Sequence, residues 1–283
     1  MRALPLCVAA LQPGALRVPS QRKAVACPSG ALIDGVAIIP VTGLLVAKTG
    51  VCGPFMFAGT GAVTGYDGIR ASLALALADK AVRAVLLDVD SDGGHIAGSL
   101  DLADLIYTAR KTKPIIAVLS ETAGGTAYML ASACEFVTVP RTGRVGGVGV
   151  LVAHLDYSRA LAGAGIAVTL ITCGERKADA HEAKPLADKA RARIQADVDR
   201  LGEMIVASVA RYRGLSRSTV RAMQGATYLG CEGVEAGLAD VVAAPDEALA
   251  ALFHELDKLH PTAVKVQSVR RVNRCMPPHA SHG

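Results

Sequence analysis

The chain contains no tryptophan, and aromatic residues make up 4% of its 283 residues. Its apolar content is therefore mostly Ala, Val and Leu, which suits helices lying close against strands. Charged residues are also few, at 19% against 51% hydrophobic. That balance excludes disorder over most of the length, because a chain this apolar can bury a core. No stretch reaches the ~20 uninterrupted apolar residues of a membrane-spanning helix. None of the seven cysteines stands in a C-x-x-C pair, and the odd count argues against a disulfide framework or zinc ribbon. The cysteine pattern implies a reducing, cytoplasmic setting.

Motifs for cofactors are missing as well. Neither G-x-G-x-x-G nor G-x-x-x-x-G-K-[ST] occurs in the glycine-rich turns. The seven histidines are scattered, and none forms H-E-x-x-H. No cofactor and no metal are expected. The net charge of +5 is a mild excess, densest at "KVQSVRRVNR", Lys265 to Arg274. Without a recognition motif this run reads as a solvated tail, so no nucleic-acid partner is expected.

What is present is alternation. Residues 1–33 read as an irregular leader, whose apolar start is cut by Gln12 and Pro13 and makes a weak signal peptide. Order is expected from "GVAIIPVTG", a buried strand, followed by the glycine-rich loop "GVCGPFMFAGTGAVTG". Ile69, Leu73 and Leu77 then recur at helical spacing. "VRAVLLDVDS", "KPIIAVLSE", "EFVTVPR", "GGVGVLVAHLD" and "AVTLITCG" read as strands. "HIAGSLDLADLIYTAR", with Ile96, Leu100 and Leu105 on one side, "GTAYMLASAC" and "YSRALAGAG" read as helices. Strands alternating with helices predict an α/β fold with a mostly parallel sheet. From Leu186 an apolar stripe through Ile194, Val198, Leu201, Ile205 and Val209 predicts one long helix, stopped by Gly214. A short helix capped by Ser216 or Ser218, a last strand and a final helix complete the chain. The expected division is a leader to 33, one domain over 34–245, and a helix with a basic tail over 246–283.

Three junctions carry glycines where a strand hands over to the next element. "DSDGGHIAG" leaves backbone N–H groups bare near a helix start, the makings of an anion or oxyanion site. It also reads as a plain tight turn. "ETAGGTAYML" is a strand–glycine–helix turn of the kind that holds a nucleophile. "RVGGVGV" reads equally as close strand packing. Lys177 follows a strand, a usual place for a surface lysine. A lysine whose pKa is lowered by burial can instead act as a general base. His154 and Asp156 share one strand face and read as structural, and Cys134 reads as core.

In this order the motifs resemble signal peptide peptidase A and its phage relatives, the head-maturation proteases. The resemblance spans roughly residues 34–245, through "GVAIIPVTG", "VRAVLLDVDSDGGHIAG", "AGGTAYMLASACEFVTVPRTGRVGGVGVLVAHLDYS", "RKAD" and "ATYLGCEGVEAGLADVV". It implies a fold similar to the ClpP/crotonase group, ring assembly (a homo-oligomer), and a serine nucleophile with a lysine base. Matching Tyr128, Leu130 and Ser132 places the nucleophile position at Gly125. The base falls on Lys177, with Asp179 two residues on, and the oxyanion glycines on Gly93 and Gly94, where Asp92 replaces the usual proline. The implied substrates are polypeptides, phage capsid or scaffold proteins among them.

Gly125 carries no atom that can attack a carbonyl. Thr126 is the nearest hydroxyl, but one step along a helix rotates a side chain by about 100°. It would point away from Lys177 unless Gly124 and Gly125 let the turn shift by one residue. The expectation is thus a serine-type endopeptidase scaffold whose central hydroxyl is missing. The competing reading is a non-catalytic oligomeric protein that binds peptide or capsid protein. A crotonase-like acyl-CoA enzyme shares the implied fold, but the lysine segment and the C-terminal motifs match the peptidases better.

Overall fold

A computed structural model describes residues 24–27, 30–48 and 62–258. Most of the leader, most of the glycine-rich loop and the basic tail lie outside these residues. The described chain forms two compact units, one from the residues up to Val148 and from Val206 onward, the other from Gly149–Ile205.

The first unit is a sheet with flanking helices. Its strands are β1 (Ala24–Cys27), β2 (Gly30–Ile33), β3 (Val36–Val46), β4 (Val63–Gly65), β5 (Ala84–Gly94), β6 (Ile115–Gly124), β7 (Phe136–Val139), β8 (Arg144–Gly146), β9 (Thr227–Leu229) and β10 (Val241–Val242). The main path runs β1-β2-β3-β5-β6-β7-β10. From β3 to β10 the pairing is parallel. The α/β expectation is met. The sheet starts earlier than the apolar pattern suggests, because β1 and β2 add antiparallel to β3 inside the stretch read as leader. Their short, mixed sequences carry no period-two signal, and pairing with a neighbour makes them strands.

The long strands are continuous apolar runs because both faces are covered. On one side lie α1 (Tyr66–Ala78), α2 (Ser99–Ala109) and α3 (Gly125–Ser132). The buried face of α2 is Leu102, Ala103, Ile106 and Ala109, not the Ile96–Leu100–Leu105 side expected from the sequence. With Leu and Ala on several faces, periodicity alone does not choose the one that packs. On the other side α8 (Pro245–Lys258) places Leu249, Leu252, Phe253 and Leu256 against Val36, Leu86, Ile116 and Val118.

The second unit holds α4 (Ser158–Gly163) and the first part of α5 (Asp188–Arg213). The expected long helix is present and stops before Gly214, which has φ +67°. Of its stripe, Ile205 and Val209 are buried, whereas Ile194, Val198 and Leu201 are half-buried. The strands expected over 146–156 and 167–174 do not form beyond Gly146. Leu151, Val152, Leu155, Ile166, Val168 and Ile171 are instead exposed. An apolar run signals burial without saying what supplies it, and a strand needs a neighbour for its N–H and C=O groups. His154 therefore shares no strand with Asp156, and its Nε2 lies 3.5 Å from the His181 carbonyl.

After α5 come α6 (Arg217–Ala222), capped by Ser216 accepting the Thr219 N–H, and α7 (Gly230–Glu235). Arg213 at the end of α5 grips Asp240 with two 2.9 Å bonds and donates Nε–H to the Gly237 carbonyl at 3.0 Å. Asp240 also accepts the Val137 N–H at 2.8 Å, and Tyr128 of α3 donates to the Leu238 carbonyl at 2.9 Å. Removing one partner of a buried pair costs about 3–5 kcal/mol. Since the Asp240 side chain is 29% exposed, Arg213→Met is expected at the lower end, about 3 kcal/mol. A shift of the urea midpoint worth under ~1 kcal/mol would show the pair to be idle.

Candidate active site

The site is built where β5 and β6 end. Each strand shifts register shortly before its C-terminal end, β3 against β5 between Thr42 and Leu44, and β5 against β6 between Val89 and Ser91. β6 then passes into α3 with no intervening residue, at Gly124 and Gly125. Gly125 has φ +49°, a left-handed conformation that marks a sharp strand-to-helix elbow.

Three glycine turns converge there. A Cβ placed on Gly93 would lie 2.7 Å from the Gly124 carbonyl and 2.9 Å from the Thr126 nitrogen. A Cβ on Gly147 would lie 3.0 Å from the Gly125 nitrogen. The turn at "RVGGVGV" is thus close packing, as its plainer reading has it, and the packing is against the elbow itself. Around Gly125 there is room: a Cβ would meet only the carbonyls of Asp92 at 3.5 Å and Gly147 at 3.9 Å. The start of α3 and the glycine end of β5 pack closely beside this space, and free N–H groups at a helix start suit an oxygen that gains negative charge. Gly93 donates its own N–H to Ser91 Oγ at 3.0 Å, and Ser91 in turn donates to the Gly43 carbonyl at 2.6 Å. A cleft of about 310 Å³ opens beside the turn, lined by Asp90, Ser91, Asp92, Gly93 and Thr122.

Asp88, two residues before Asp90 on β5, is 8% exposed and accepts a 2.7 Å bond from Ser120 Oγ. Burial raises its pKa above the ordinary 3.8, the Ser120 bond opposes the rise, and the Asp90 charge adds to it. The native state therefore keeps this proton to higher pH than the unfolded chain. Its contribution to stability is full below about pH 4 and falls as pH climbs through the raised native value. Asp88→Asn is expected to flatten that fall, read as urea midpoints between pH 4 and 7. An unchanged pH profile in the variant would contradict this.

Thr126 does not offer its hydroxyl to the cleft. The residue is 7% exposed, and its Oγ1 is buried with no hydrogen-bond partner of strict geometry. Lys177 belongs to the second unit. It is exposed in a run of tight turns, with its N–H donated to Gly174 at 3.1 Å and Asp179 paired with Arg193 at 2.9 Å. Cys134 is core, as expected, and burial pushes its thiol up. The sequence reading singled out the segments that hold Ser91 and Gly147 without naming either residue, and it missed Tyr66. Tyr66, standing between Gly65 and the first helical repeat, has a visible signal, that of a residue at a strand-to-helix junction.

A mixed α/β sheet that ends in a glycine elbow packed against a glycine turn is the kind of junction on which acyl-transfer enzymes place a nucleophile beside oxyanion donors. The chain belongs to peptidase family S49, whose model matches residues 108–259, more than half of its length. It is 41% identical over 226 residues to the head-tail preconnector protein GP5 of Enterobacteria phage P21, covering 80% of this chain and 44% of that protein. It is 36% identical over 226 residues to the capsid assembly protease C of Escherichia phage lambda, covering 80% and 50%. A putative signal peptide peptidase SppA of Enterococcus faecium is 27% identical over 192 residues, covering 67% and 56%. The chain thus spans about half the length of these relatives.

Proposed function

We propose that this chain is the scaffold of a serine–lysine endopeptidase of the phage capsid-maturation type, acting on or binding polypeptides such as capsid and scaffold proteins. Gly125 occupies the nucleophile position, Lys177 the general-base position, and Gly93 and Gly94 the oxyanion turn. One observation carries the reading: backbone from the turns at Gly93 and Gly147 meets the Gly125 elbow around a space sized for a side chain. The relatives' names, a capsid assembly protease among them, support the substrate class. The natural chain then hydrolyses peptides weakly or not at all, because peptide hydrolysis needs an attacking atom besides a base and oxyanion donors.

Assembly into a homo-oligomer belongs to the same proposal. Leu151 is 86% exposed and Ile171 94%. Apolar side chains so bare on one unit suit cover by a neighbouring copy. The proposed place of action is the cytoplasm. Among the described residues, no helix is long and apolar enough to cross a membrane.

The test is a casein or capsid-peptide assay on the purified natural chain beside Thr126→Ala. Little or no cleavage is expected from both. A competent natural protease that Thr126→Ala inactivates would make Thr126 the nucleophile. A competent natural protease indifferent to Thr126→Ala would show that the active site lies elsewhere.

A further inference from the structure

Glycine turns are floppy unless their peptide groups are tied, because glycine loses the most conformational freedom on folding. The Gly93–Gly94 turn is tied at both ends. Gly93 N–H goes to Ser91 Oγ, and His95 N–H goes to the Leu45 carbonyl at 2.8 Å. The His95 carbonyl accepts a 2.6 Å bond from the hydroxyl of Tyr66, the first residue of α1.

Tyr66 is 3% exposed. Its ring passes beside Gly98, where a Cβ would come within 3.6 Å of it. The same phenol faces the hydroxyls of Thr126, in the first turn of α3, and Ser99, in the first turn of α2. Burial pushes the phenol up to about 12, with Thr126 and Ser99 drawing it the other way. One hydroxyl thus ties the glycine turn to the start of α1.

We propose that Tyr66 is a positioning residue, which holds the Gly93–Gly94 turn against the start of α1 through the His95 carbonyl. The inference rests on the peptidase reading for its purpose, since this turn is the oxyanion turn of the proposed site. Tyr66 touches neither the reacting atoms nor the cleft. Its effect passes through backbone geometry alone.

The experiment is amide hydrogen exchange on Tyr66→Phe in the natural chain, joined to kinetics in the Gly125→Ser background. Loss of one buried hydrogen bond is expected to speed exchange at Gly93 and His95 by about fivefold, while Leu252 and Phe253 in α8 exchange as before. In the Gly125→Ser chain, Tyr66→Phe is expected to lower kcat roughly tenfold and leave KM within about twofold, because oxyanion contacts act mainly in the transition state. Exchange at Gly93 and His95 that stays unchanged, or rises only in step with α8, overturns the inference, as does an unchanged kcat. An inert Gly125→Ser chain whose Tyr66→Phe form still shows the local exchange change would sink the peptidase reading and uphold the positioning role. Should Tyr66→Phe not fold, the natural chain decides. The Tyr66 hydroxyl proton is expected as a slowly exchanging resonance, and a solvent-averaged one overturns the proposal.

Discussion

Gly125→Ser is expected to turn an inert or weakly active chain into a peptidase. In the proposed site the substitution supplies the attacking atom, beside backbone oxyanion donors and the Lys177 amine. The new Cβ meets no atom closer than 3.5 Å, so space is not the obstacle. The backbone is: at φ +49° an L-residue is strained, with a cost of about 1–2 kcal/mol. The variant is therefore expected to fold with a slightly lower urea midpoint, and to cleave a capsid-like peptide at least ~10²-fold faster than the natural chain. Lys177→Ala in the same background is expected to remove the gain, a loss of about 10²–10⁴ when a general base is deleted. A folded Gly125→Ser chain without activity, or one indifferent to Lys177→Ala, would undo the assignment.

Gly94→Ala, a glycine substitution one turn away, should do the opposite. A Cβ on Gly94 would lie 2.0 Å from the Leu45 carbonyl oxygen and 2.7 Å from the Leu45 carbon and nitrogen. These are backbone atoms of β3, which cannot rotate away as a side chain can. That carbonyl also holds the His95 N–H, so moving it unties the turn as well. The expected loss exceeds about 4 kcal/mol, the range reached only when strain or overpacking has no outlet. Poor expression or a collapsed urea midpoint would follow. A Gly94→Ala chain as stable as the natural one would mean that β3 and β5 are not this close.

These two glycines show how far the sequence could be read. Motif order located Gly93, Gly94 and Gly125, because turns between a buried strand and a helix need residue types that recur in fixed order. It could not say that Gly94 is locked against β3 while Gly125 is open, since that depends on strands separated by tens of residues. The parallel sheet was legible in runs such as "AVLLDV", buried on both faces. The edge strand β1 and its neighbour β2 were not, because pairing creates them. The segments over 147–156 and 167–174 misled for a related reason: they are apolar enough for strands but have no partner among the described residues. Thr126 was weighed as a hydroxyl near the elbow, and only the fold shows it buried.

The most direct test of the missing-nucleophile account is labelling with a fluorophosphonate, read by mass spectrometry of the intact chain and its peptides. The account predicts a single adduct in Gly125→Ser, mapped to residue 125, weaker when Lys177 is replaced by alanine and absent from the natural chain. An adduct on the natural chain at any other serine or threonine, or a folded Gly125→Ser chain that takes no label, would contradict it.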